Sequence, residues 1–216
     1  MLRYLLKFIY LLMFLELISL LIPIYIGAYP EYLPFGRDPT SYLIIFVHIP
    51  SAWNMFAGYT ITFIGSILFL AKNDVRYDRI AYTSTVLASL YGFVAVVTGM
   101  LWANEVWGSP WNWDPRETST LILLLAYIGY IGLRGSIPDI DRRRVFSSVY
   151  GVAAYITLPI TYLSAILFQS LHEQLPRQPL TSIMYPILGI RVIISFILFT
   201  LLIYLFYNVQ KSREVG

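Results

Sequence analysis

The sequence predicts an all-α, polytopic membrane protein of about six transmembrane helices with both termini cytoplasmic, and three observations predict it. Hydrophobic residues make up 58% of the 216 and charged residues 12%, with a mean hydropathy of +0.68. Soluble domains carry roughly a quarter charged residues. Six apolar runs approach or exceed the ~20 residues that cross a hydrocarbon core of ~30 Å as a helix. Lys and Arg are dense in one alternate set of connections and sparse in the other.

Residues 5–28 form the first run. It follows Arg3 and Lys7, as a signal peptide would, but it is longer than the usual ~7–15-residue core and no small-residue cleavage pattern follows it. It therefore reads as an uncleaved span. The second run, 43–71, stops at Lys72-Asn73-Asp74; Pro50, which has no backbone N–H, is expected to distort its start. The third covers 80–102. The fourth, 118–134, follows Asp114-Pro115, a helix-start signal with Asp114 as N-cap, Pro115 at the first helical position and Glu117 placed to complete a capping box. The fifth and sixth cover 147–170 and 185–209. Helix is the default for such runs, because the bilayer leaves no other open structure with its backbone groups satisfied. The connections are too short for a separate soluble domain, so 1–216 reads as a single six-helix transmembrane domain.

Arg3, Lys7, Lys72, Arg76, Arg79, Arg134, Arg142, Arg143, Arg144, Lys211 and Arg213 fall on one side of these runs, eleven of the fifteen basic residues. Arg37, Arg116 and Arg177 fall on the other, and Arg191 lies inside the sixth run. The basic side is the cytoplasmic one, so the loops at 29–42, 103–117 and 171–184 face outward. The short basic inner loops read as topology anchors. The chain has no cysteine, which excludes disulfides, cysteine-ligated iron–sulfur sites, thioether links to a cofactor and dithiol redox chemistry. It has no phosphate-binding glycine loop, so ATP hydrolysis by this chain alone is not expected. Its expected surroundings are the lipid bilayer, not nucleic acid.

The outer loops hold the unusual residues. Trp107, Trp111 and Trp113 fall within seven positions, next to Gly108, Pro110, Asp114 and Arg116. An interfacial aromatic belt explains scattered tryptophans. A cluster beside fixed charges suits a platform for a flat, mostly apolar ligand with a few charged groups. The only two histidines are His48, near the outer end of the second run, and His172, just after the fifth. Both are expected on the tryptophan face at about the same depth. Each taken alone reads as an interfacial polar residue; together they suit the two axial positions of a haem iron, given neutral imidazoles. Zinc is less well served, since structural sites take about four ligands. Arg116 and Arg191 are candidates for pairing with ligand carboxylates such as haem propionates. Glu16 and Arg191 are ionisable residues within the membrane, where such residues are costly and often functional.

Trp107-Gly108-Ser109-Pro110-Trp111-Asn112-Trp113-Asp114 resembles the tryptophan-rich outer loop of the haem-handling proteins of cytochrome c biogenesis, and within them the CcmC type. Val47-His48-Ile49-Pro50-Ser51-Ala52-Trp53 resembles that family's first histidine site, and Leu171-His172 its second. The resemblance covers about residues 44–135 and 165–185. It implies that b-type haem is held non-covalently on the outer face, with His48 and His172 as axial ligands. Trp107, Trp111, Trp113 and Asp114 would form the haem platform and the contact with a membrane-anchored haem chaperone. The implied partners are that chaperone and the ATP-binding cassette transporter subunits of the maturation system. The implied place is the plasma (inner) membrane, spanned several times. The continuation Asp114-Pro115-Arg116-Glu117 is closer to the haem-lyase branch (the CcsA and CcmF types).

The leading expectation is a haem-delivery protein without covalent chemistry of its own. A haem lyase subunit attaching haem to apocytochrome, and a transporter of haem or another solute, remain as alternatives. The lyase branch has additional histidines within its helices, which this chain lacks. The spans offer few groups beyond Glu16 for a polar transport path. The charge asymmetry has its own test: a reporter active only in the cytoplasm is expected to work when fused at either terminus and to be silent within 103–117, and the opposite pattern refutes this orientation.

Overall fold

The computed structural model describes residues 2–30, 38–174 and 181–215. Arg37 and Arg177, and the side chains of Arg3 and Arg213, lie outside the described residues. The helices are α1 (Leu2–Tyr25), α2 (Ile45–Lys72), α3 (Val75–Trp107), α4 (Pro115–Ser136), α5 (Ile140–Ala154), α6 (Thr157–Leu167) and α7 (Met184–Val215), with short 3₁₀ turns at Pro39–Ile44 and Leu171–Gln174. Among the described residues, six helical stretches are long and apolar enough to cross a membrane, α5 and α6 together making one of them. The chain is an all-α polytopic membrane protein.

Several helices begin earlier than the apolar runs, because polar caps rather than hydropathy set their ends. Asp74 accepts the Arg76 N–H at 2.9 Å and starts α3. Asp139 accepts the Arg142 N–H at 2.8 Å and draws the basic run Arg142-Arg143-Arg144 into α5. Asp114 caps α4 through the Arg116 N–H, and Pro115 takes the first helical position. At the other end of α2, Asn73 adopts the left-handed conformation (φ 51°) and its N–H closes on Phe69 O. Asn tolerates that conformation better than most residues, so two residues suffice to turn α2 into α3.

The fifth run is broken where hydropathy shows no interruption. Pro159 has no N–H to offer Tyr155 O, and the Leu158 N–H takes that carbonyl instead at 3.0 Å. The tighter turn ends α5 at Ala154 and starts α6 at Thr157. Pro50 behaves differently. It also lies inside a helix, but α2 runs through it, and the carbonyl that loses its i+4 partner, that of Phe46, receives a donor from α7.

Packing depends on small residues. A methyl group on Gly58 would come within 2.6 Å of Ala88 Cβ and 2.7 Å of Phe199 Cζ; one on Gly65 would come within 3.2 Å of Ala81 Cβ. These contacts let α2 and α3 approach closely, the usual basis of helix association in lipid. Thr62 and Thr85 then meet across the interface at 3.0 Å. The core beside it holds Met55, Tyr59, Leu123, Tyr127 and Tyr130, with the Tyr59 and Tyr127 rings stacked at 3.7 Å. At the end of the bundle that carries the termini, fully buried Asp78 receives two bonds from Arg134, at 2.6 and 2.7 Å, with Arg144 Nε 3.6 Å away. The basic side chains there tie α3, α4 and α5 together.

Gly58→Ala is expected to lower stability by about 1–3 kcal/mol through overpacking. Gly132→Ala, in α4 with open space around it, should be neutral or raise it by about 0.5–1 kcal/mol. Thermal unfolding of both variants in detergent checks the contrast.

Candidate ligand-binding site

The end of the bundle opposite Asp78 holds a cavity of about 490 Å³. That is within the ~300–1,000 Å³ of ligand sites in general. His48 and His172 both line it, so the chain's two histidines are brought to one place from α2 and from the 3₁₀ turn after α6.

Each ring has one nitrogen committed to the protein. His48 Nδ1 lies 3.0 Å from Ala95 O and 3.1 Å from Thr98 Oγ1. The Thr98 hydroxyl spends its own proton on Val94 O at 2.7 Å, so Nδ1 is the donor. His172 Nδ1 lies 2.9 Å from Asp114 Oδ1, and a carboxylate can only accept. In both rings the proton is therefore assigned to Nδ1, and Nε2 keeps its lone pair. This is the arrangement that metal-ligating histidines adopt, with the second nitrogen donating to a carbonyl or carboxylate.

Asp114 is the hub. Its carboxylate accepts from Arg116 N and Glu117 N at the head of α4, from Ser170 Oγ and Leu171 N (2.6 Å), and from His172 Nδ1. Burial alone would raise its pKa, but these donors more than compensate and hold it below the usual carboxylate value. Burial also lowers the pKa of His172, against the opposing pull of Asp114, which favours the neutral imidazole. Glu117 turns its carboxylate back to the loop and accepts the Asn112 N–H at 3.0 Å. Ser109 braces the same loop by donating to Trp111 O at 2.9 Å.

The tryptophans separate into three roles. Trp111 lines the cavity with Arg116, while Tyr42 and Trp102, packed edge to face at 4.8 Å, form another part of the wall. Trp107 is not part of the lining; it packs edge-on behind the His172 ring at 5.0 Å. Trp113 lies edge-on to Trp111 at 5.9 Å, is 77% exposed, and has a left-handed backbone (φ 56°), a conformation that is an outlier for so bulky a residue.

The two rings take different neighbours on α3: the His48 ring packs on Ala95, Thr98 and Gly99, and the His172 ring on Trp107. One sequence expectation needs correcting. Arg191 is not in the cavity lining. It is only 2% exposed and bonds to Phe46 O, Glu16 and Ser19 between helices. Among the described residues, no three or more His, Cys, Asp or Glu gather as a metal cluster.

A family model described as Heme exporter protein C (CcmC) matches residues 2–215. The chain belongs to this family. Similar relatives include Heme exporter protein C of Bradyrhizobium diazoefficiens, 32% identical over 60% of this chain and 49% of its own length. Heme exporter protein C of Escherichia coli K12 is 33% identical over 63% and 56%. A putative cytochrome c biosynthesis ccmC-like mitochondrial protein of Marchantia polymorpha is 31% identical over 62% and 56%. The chain spans about half the length of the curated relatives it matches.

The partners of the two imidazoles in this CcmC-family chain were invisible in sequence. Ala95 and Thr98 lie about fifty residues from His48, and Asp114 lies 58 from His172. The sequence marked Asp114 as an N-cap and as a charge beside the tryptophan cluster, but not as the partner of His172. Asp114→Ala should destabilise the protein more than Asp139→Ala, which loses an exposed cap worth about 0.5–2 kcal/mol. Asp114 caps as well, and its loss strands buried donors on Ser170 and His172. Thermal unfolding of the two variants side by side decides; equal losses would mean that Asp114 only caps.

Proposed function

We propose that this chain binds haem at the outer membrane face, between His48 and His172, and delivers it to a membrane-anchored haem chaperone for cytochrome c maturation. The observation that carries the reading is the pair of imidazoles on one cavity, each with Nδ1 held by a protein acceptor and Nε2 left with its lone pair. The cavity suits haem in other respects. Its walls include Ile49, Met55 and Met100 for the apolar macrocycle, and Trp111 for stacking. Arg116 supplies a guanidinium for propionates, matching the bidentate geometry that carboxylates favour. With no cysteine in the chain, binding is non-covalent, as for b-type haem.

The family and the printed names of its relatives support haem handling. Exposed Trp113, at the lip beside Trp111, is the chaperone contact. The ATP-binding cassette subunits of the maturation system act on the loaded chaperone. The positive-inside pattern supports cytoplasmic termini, and with them an outward-facing site in the plasma membrane.

Absorption spectra of the purified protein, oxidised and reduced, test the reading. Wild type is expected to show a six-coordinate low-spin haem, and His48→Ala/His172→Ala to lose it. A wild type that takes up no added haem, or a double variant with an unchanged spectrum, would end it.

A further inference from the structure

We infer that Arg191 is a positioning residue for His48, acting through the carbonyl of Phe46. The inference rests on the reading of His48 as a haem ligand. Pro50 lies four residues after Phe46 and has no N–H, so the regular i+4 helix bond to Phe46 O is missing. Phe46 is buried, and a buried carbonyl without a partner is costly. Arg191 Nε fills the gap at 2.6 Å, and His48 sits between the carbonyl so held and the proline that freed it.

The guanidinium is itself fixed from a third helix. Nη1 donates to Glu16 O at 3.1 Å and to Ser19 Oγ, and Nη2 to Glu16 Oε1 at 3.1 Å. One turn further along α7, Ser195 accepts from Asn54 Nδ2 at 2.7 Å, so the same face of α7 follows α2 over a second turn. His48 is thereby located twice: α3 fixes its ring at Nδ1, and α7 fixes the backbone turn that carries it. A propionate contact would place Arg191 in the cavity lining, and its donors point instead to backbone and to α1.

The test uses the full-length, haem-loaded protein in detergent. Glu16→Gln first removes the charge that Arg191 would strand, and this single variant should keep the wild-type low-spin spectrum and midpoint potential. Adding Arg191→Met should lower haem retention about tenfold or more, the scale of a lost outer-sphere partner, with a shift from low-spin toward high-spin signature. Adding Pro50→Ala on top should restore both, because the alanine N–H can take Phe46 O within the helix. Asn54→Ala, which cuts only the second tie, should leave the signature unchanged. A wild-type spectrum in Glu16→Gln/Arg191→Met would overturn the inference. So would a triple variant that folds without the signature, or does not fold at all. If the wild type shows no imidazole-ligated haem, the haem reading fails first, independently of Arg191.

Discussion

The carboxylate of Asp114 joins parts of the chain that sequence keeps far apart. A buried carboxylate is tolerated only when donors surround it, and here they come from the first turn of α4, from Ser170 and Leu171 beyond α6, and from the His172 ring. Meeting that single requirement starts α4, holds His172 at the cavity wall and selects the tautomer of one proposed ligand. The tryptophan loop and His172 are consequently one body: Trp107 backs the ring that Asp114 holds, and Trp111 faces the space the ring borders.

Lipid offers little hydrophobic reason for apolar helices to prefer one another, so close packing and interhelical bonds must set the arrangement. The bundle meets this with a glycine-lined α2–α3 seam between polar fastenings. At one end, Asp78 gathers α3, α4 and α5 through Arg134 and Arg144. Toward the other, Arg191 gathers α1, α2 and α7. The apolar residues fill the space between; the few charged ones decide which helices are neighbours.

The fold class was legible because hydropathy, length and charge asymmetry are local properties of each run. The helix ends were less so, since Asp74 and Asp139 act as caps outside the apolar stretches, and the α5–α6 break depends on one proline whose freed carbonyl finds no side-chain donor. Pro50 carries the same local signal as Pro159 and yields the opposite result; the carbonyl it frees receives a donor from the distant Arg191. The candidate site follows the same pattern. Its unusual residues stood out by type, two histidines and three clustered tryptophans. Their division of labour did not, because it is set by Ala95, Thr98, Ser170 and the path of α7. Arg191 was recognised as anomalous but assigned to the wrong neighbour, for sequence gives its depth and not its direction.

The two proposed ligands stand on unequal supports. His48 belongs to a 28-residue helix and its ring is tied to a second helix through Ala95 and Thr98. His172 belongs to a 3₁₀ turn of four residues, and its ring is held by Asp114 and backed by Trp107. A ligand shared by the two rings would therefore have one firm jaw and one lighter one, and the lighter jaw owes its stiffness to a single carboxylate.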